Sequence, residues 1–146
     1  MRDEEIITKL AKKYEFIYSP NVAASENFDE DKYANTTDIT VWKDLIEDGK
    51  IQLTTGSLVR NITLNFCQPF AIGDSGAMLD ILRDGLIQKS AKFVRNYISD
   101  LSKENIIRTT TQEPTYTAQY YKEDANVIIV SWLLSINSDL SRCYED

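Results

Sequence analysis

Hydrophobic positions along the chain change their period several times, and each change marks an element. Between residues 3 and 14, Ile6, Ile7 and Leu10, with Tyr14 one turn on, share one face at helical spacing. Asp3, Glu4 and Glu5 fill the first turn, where the helix dipole favours negative charge, so a short helix is predicted. Phe16, Ile17 and Tyr18 form a brief apolar run stopped by Ser19 and Pro20, which predicts a short strand. From Asn21 to Thr37 the residues are small, polar and acidic, with Phe28 and Tyr33 the large apolar exceptions. A long loop is expected there, of the kind that is usually functional or mobile. Ile39, Val41 and Trp42 predict a second strand, broken by a polar turn at Glu47, Asp48 and Gly49.

Beyond that turn the period is two. Leu58, Ile62, Leu64 and Phe66 fall on one parity, and Val59, Asn61, Thr63, Asn65 and Cys67 on the other. That alternation predicts a strand with one buried and one wet face, with Arg60 interrupting the apolar side near an edge or rim. The period then lengthens to that of a helix. Leu79, Leu82, Leu86, Phe93, Tyr97 and Leu101 recur over some 25 residues, a length of about 38 Å at 1.5 Å per residue. Asp74 or Ser75 supplies its N-cap, and Gly85 is a weak point inside it. Segments 106–111 and Thr115–Tyr121 are rich in β-formers. Asn126 to Asn137 reads as a long strand with Ile128, Val130, Trp132, Leu134 and Ile136 on one face. Val127, Ile129 and Leu133 lie on the other, so it should be central or covered on both sides. A loose polar tail from Ser138 to Asp146 completes a single expected domain over residues 1–146. The expected class is α+β: one mostly antiparallel sheet packed by one long amphipathic helix, plus the short N-terminal helix.

Composition narrows the chemistry. The 146 residues carry 16 Lys plus Arg against 23 Asp plus Glu, a net charge of −7, which disfavours a nucleic-acid backbone as ligand. No histidine occurs, which removes Ser-His-Asp and Cys-His sites, imidazole acid–base work and nearly all catalytic zinc sites. Cys67 and Cys143 cannot supply a four-cysteine metal site and are most simply reduced thiols. No apolar run reaches the ~18 residues of a membrane span, and the acidic start does not open a targeting signal. The expectation is a soluble chain made in a cytoplasm, with no membrane partner.

Individual motifs lead to the same place. Gly73-Asp74-Ser75-Gly76 matches the string around the nucleophile of chymotrypsin-like proteases, but a serine there needs an imidazole to take its proton. The remaining reading is a turn into the helix capped by Asp74 or Ser75. Glu26, Asp29, Glu30 and Asp31 cluster without the central glycine or twelfth-position glutamate of a calcium loop. No glycine-rich phosphate loop is present, and nothing singles out two carboxylates as a glycosidase pair. Asn35-Thr36-Thr37 and Asn61-Ile62-Thr63 match the glycosylation pattern, which matters only in a secreted eukaryotic chain. Cys67, on the wet parity, is expected to be partly exposed and structural. Tyr116, Tyr120 and Tyr121 with Trp132 read equally as a face that docks a partner or as core under the long helix. The chain is therefore expected to be no enzyme, with no cofactor, metal or small-molecule substrate, and to act by joining other chains.

The order of elements resembles the tail-terminator and tail-completion family of tailed bacteriophages, especially its divergent versions in phages of Bacteroidetes hosts. The features that carry the resemblance are the N-terminal helix, Phe16-Ile17-Tyr18, the loop and the strand Asp38-Ile39-Thr40-Val41-Trp42. They continue with Leu58 to Phe66 ending in Gln68-Pro69-Phe70, the helix with Ala91-Lys92-Phe93-Val94, and the final hairpin ending in Val127 to Ile136. The likeness spans Thr37 to Ile136, about 100 of 146 positions, and is one of pattern and order. It implies a non-enzymatic virion protein, assembled in the host cytoplasm, that forms a ring with copies of itself and joins the tail tube to the head-side connector. DNA would be passing cargo, and the acidic balance suits a conduit that does not hold it. Neighbours would be reached through sheet edges and through arms at Asn21–Thr37, Asp48–Ser57 and Gln112–Thr115. The candidate interface residues are Asn21, Phe28, Tyr33, Arg60, Tyr116, Tyr120 and Tyr121. The rival expectation is a small acidic binding module, such as a phage-encoded inhibitor or immunity-type protein, masking a basic partner surface.

Overall fold

The computed structural model describes residues 2–18, 38–70, 76–103, 109–110, 113–121 and 126–139. Among the described residues two helices, α1 (Arg2–Tyr14) and α2 (Gly76–Lys103), accompany seven strands. These are β1 (Ile17–Tyr18), β2 (Thr40–Lys43), β3 (Asp48–Gln52), β4 (Ser57–Pro69), β5 (Thr109–Thr110), β6 (Thr115–Tyr121) and β7 (Val127–Asp139). The chain is an α+β protein with one mostly antiparallel sheet, β1 beside β2 being its parallel pair.

The spine of the sheet is β4 against β7, antiparallel in unbroken register from Ser57↔Asp139 to Pro69↔Val127. Each flank of this spine holds two strands end to end. On one side β2 faces residues 64–67 of β4 and β3 faces 57–61, so residues 44–47 stand against only Ile62 and Thr63. On the other side β6 faces 127–133 of β7 and β5 faces Ile136 and Asn137, which leaves Leu134 and Ser135 between the two paired stretches. Ile62 is paired with Leu134, which puts both interruptions at one level of the sheet. Extra residues of this kind bend a strand and release it from the pleat.

Parity decides the core. Ile62, Leu64 and Phe66 of β4 and Ile128, Val130, Trp132, Leu134 and Ile136 of β7 are buried with Val41 beneath both helices. Ile6, Ile7, Leu10 and Ala11 of α1, and Leu86, Phe93, Val94, Tyr97 and Leu101 of α2, supply the opposite layer. Full burial of each large aliphatic or aromatic side chain contributes roughly 1.5–3 kcal/mol. An aromatic cluster ties the layers: Phe93 stacks on Phe16 at 5.7 Å and meets Phe66 edge-on at 5.2 Å between ring centroids. Lys9 reaches Asp100, and the Asn96 amide donates to the Tyr14 hydroxyl, joining α1 to α2.

Several expectations are corrected. Asp48 and Gly49 belong to β3 rather than a turn; the chain reverses at residues 53–56, where Gly56 takes φ 65°. The segment Asp48–Ser57 is thus a hairpin arm within this chain's own sheet. The odd parity of β4 is not uniformly wet, because Val59, Asn65 and Cys67 are buried. Cys67 forms a second small cluster with Trp42, Val127 and Ile129, so it is not partly exposed. Ser138 and Asp139 continue β7 instead of starting a tail. Gly85 falls inside α2, as expected, and the helix continues through it. The loop 21–37, the capping positions 74–75, segments 106–108 and 111–112, and the tail 140–146 lie outside the described residues.

A candidate interaction surface at the edges of the sheet

The most exposed apolar side chains of the sheet lie along its β2–β3 flank. Leu45 is 71% exposed, Ile46 86%, Ile51 52% and Leu53 90%. The local sequence explains why they stand out. Asp44 is held inward twice: its backbone N–H donates to the Thr63 carbonyl at 3.0 Å, and its Oδ1 accepts from the Asn65 amide at 2.6 Å. Three residues on, Glu47 accepts a two-pronged bond from Arg60, Nε to Oε2 at 2.9 Å and Nη2 to Oε1 at 2.8 Å. With both ends of the four-residue stretch fixed, Leu45 and Ile46 at its middle are left exposed. Leu53 stands at the start of the hairpin turn, where the Gln52 carbonyl accepts from the Gly56 N–H at 2.9 Å.

Strand β3 itself is almost wholly exposed and pairs, among the described residues, only with β4. Asp48 accepts from the Asn61 amide at 2.7 Å. A Cβ on Gly49 would lie 2.2 Å from the Val59 carbonyl oxygen, so the strand sits against β4 more closely than any other residue permits.

The opposite flank differs in character. β6, Thr-Tyr-Thr-Ala-Gln-Tyr-Tyr, carries no charged residue and among the described residues pairs only with β7. Charges, prolines and bulges are the usual means of keeping an edge strand from pairing with another chain, and β6 has none within its length. Tyr116 is half exposed with its ring 5.0 Å from that of Trp132. Tyr120 turns toward the core, its hydroxyl donating to the Leu79 carbonyl at 3.4 Å.

The expected interface residues therefore separate. Tyr116 and Tyr120 share the helix-side parity of β6, one half exposed and the other packed inward. Tyr121 closes the same strand. Arg60 lies on the central β4, not on an edge strand, and its guanidinium is engaged by Glu47 of its own chain. Asn21, Phe28 and Tyr33 lie outside the described residues. Sequence reasoning missed Leu45, Ile46, Ile51 and Leu53; the available signal was Leu45-Ile46 beside acidic residues with no periodic partner.

Burial pushes the Cys67 thiol well above its ordinary range, which leaves it protonated and a poor nucleophile. Among the described residues, no cluster of three or more Cys, Asp or Glu is placed to hold a metal ion. No helix among them is long and apolar enough to cross a membrane. No protein-family model matches the chain, and no curated protein sequence matches it.

Proposed function

We propose that this chain is a non-enzymatic structural subunit of a phage particle, a tail-terminator or head–tail connector protein that closes into a ring with its own copies. The observation that supports this reading is the contrast between the two flanks of one sheet: an apolar ridge along β2–β3 and an uncharged edge strand, β6, on the far side. A cyclic ring needs two different surfaces on every subunit, each meeting the other on a neighbour. The four ridge side chains together expose as much as about three complete ones, so covering them is worth roughly 4.5–9 kcal/mol. Association costs an estimated 4–15 kcal/mol, so the ridge alone is marginal and a second contact at the other edge makes assembly favourable. The net charge of −7 suits a passage through which DNA moves without being retained. Tail-tube and connector proteins would be the further neighbours.

The test is co-expression with the neighbouring tail-tube and connector proteins, followed by sedimentation and electron microscopy. Rings or particles that contain the chain, and that lose it when Ile46→Asp and Leu53→Asp are combined, are the expected result. A chain that stays solitary in that mixture, or turns over a small molecule, overturns the reading. One that ignores its own copies but binds a single basic protein tightly replaces it with the acidic binding module.

A further inference from the structure

We propose that the β3 edge is a self-complementary docking strand, and that two copies of the chain pair through it, antiparallel, about a two-fold axis at Gly49. The argument starts from the run Leu45-Ile46-Glu47-Asp48-Gly49-Lys50-Ile51-Gln52-Leu53. Antiparallel pairing of this run with itself, centred on Gly49, sets Asp48 opposite Lys50 of the second copy, and Lys50 opposite its Asp48. Ile51 and Gln52 then run past residues 46–47 of the second copy, while Leu45, Ile46 and Leu53, which lie outside β3, flank the joint at its two ends. Ile51 falls inside the joint and the other exposed apolar side chains of the ridge lie at its margins, and each opposite-charge pair occurs twice.

Structure adds three conditions that the run alone does not. Among the described residues the outer edge of β3 has no strand beside it, and Asp48, Gly49, Lys50 and Ile51 are all exposed. Asp48 and Lys50 pair with Asn61 and Val59, so they share the sheet face away from the helices, while Ile51 pairs with Leu58 on the helix side. A two-fold axis perpendicular to the sheet keeps those faces in common, so the charged pairs meet on one side and Ile51 on the other. Lys50 makes no ion pair within the chain among the described residues, and Asp48 uses only one carboxylate oxygen, toward Asn61. Cross-strand pairs of opposite charge stabilise such a ladder, and like charges directly opposite destabilise it. Gly49 leaves the centre free of side chains, the position where another backbone can approach closely.

The pairing rests on the strand and not on the virion reading. Under that reading the two-fold pair and the ring contact use the same edge and exclude each other, which makes the pair the form of the free subunit before assembly.

The experiment is sedimentation velocity on the intact chain and three variants, over a concentration series up to roughly 1 mM. The wild-type chain is expected to dimerise. Lys50→Asp places like charges opposite each other twice and should weaken the dimer by roughly tenfold or more. Asp48→Lys with Lys50→Asp restores both pairs with reversed sign and should recover most of that loss, even though the Asn61 bond is gone. Ile51→Asp with Leu53→Asp should give a monomer, with circular dichroism confirming that it is folded. A wild-type chain that is monomeric throughout overturns the proposal. So does a dimer or larger assembly indifferent to Lys50→Asp, or a double charge exchange as weak as the single one.

Discussion

The side chain that pins α2 to the sheet is small. Ser90 is fully buried on the inner face of α2, and its hydroxyl is the acceptor for the Trp132 indole N–H at 2.8 Å while donating to the Ile87 carbonyl at 3.0 Å. Trp132 in turn supports Tyr116 on β6, so one hydroxyl orients the ring on which an exposed edge residue rests. Ser90→Ala removes the acceptor but leaves the indole N–H buried, and an orphaned buried donor costs about 1–3 kcal/mol. Alanine is the better helix former by up to ~0.5 kcal/mol, so the net loss should be about 1–2 kcal/mol. With a urea m-value of roughly 1.5 kcal/mol per molar for a chain of this size, the midpoint should fall by about 1 M. The measurement is urea unfolding followed by far-ultraviolet circular dichroism, repeated in a Trp132→Phe background where no donor is left to strand. There Ser90→Ala should cost little or even stabilise, giving a coupling energy of about 1–2.5 kcal/mol between the two positions. Equal losses in both backgrounds would show that the hydroxyl acts by packing or helix geometry, and the account of Trp132 as a hydrogen-bonded strut would fail.

Two glycines of similar appearance should respond oppositely to the same change. Gly85→Ala adds a methyl into open space inside a helix and should raise stability by about 0.5–1 kcal/mol, whereas Gly49→Ala must displace β3 from the Val59 carbonyl and should cost about 1–3 kcal/mol; thermal melts of both compared with wild type decide this, and a harmless Gly49→Ala contradicts the tight approach of β3 to β4. Cys67, as the sole thiol in a Cys143→Ser chain, should resist a disulfide reagent at pH 8 for as long as the fold persists and react at once in denaturant, with rapid native labelling the contrary result. Burial raises the folded-state pKa of this thiol above the unfolded value, so its contribution to stability is intact below about pH 8.5 and declines as pH rises beyond it. The unfolding midpoint should fall in alkaline buffer, and by less once Cys67→Ala removes the group.

The central strand and both helices were legible because burial imposes a period. Ile128 to Ile136 alternate, and Leu79 to Leu101 recur by three and four, since each must keep one side in the same apolar layer. β3 left no such trace. Asp48, Gly49 and Lys50 are exposed and owe their conformation to the ladder with β4, so local residue preference pointed to a turn and tertiary pairing overrode it. Cys67 misled for the opposite reason. Its polar neighbours at 61, 63 and 65 suggested water, but Trp42, Val127 and Ile129 arrive from β2 and β7 to cover it. Arg60 read as a rim residue because a lone cation on an apolar parity usually is one; here Glu47, brought round by the insertion, supplies its counter-charge.

The insertion at 44–47 links these misreadings to the function proposed. A continuous strand from Thr40 to Gln52 would keep alternation throughout and send either Leu45 or Ile46 to the helix side of the sheet. Two extra residues instead let Asp44 and Glu47 each find a partner on β4 while the apolar pair between them faces solvent. Left exposed, neither side chain contributes the burial that stabilises the core, so a polar residue at either position would serve a solitary chain as well without disturbing the anchors. Leu53 at the hairpin tip repeats the pattern 90% exposed, with Ile51 between them on the same flank. Scattered exposed apolar residues are ordinary, but two leucines and two isoleucines along one flank, with no strand beside β3 among the described residues, are the arrangement that the proposed subunit contact would cover.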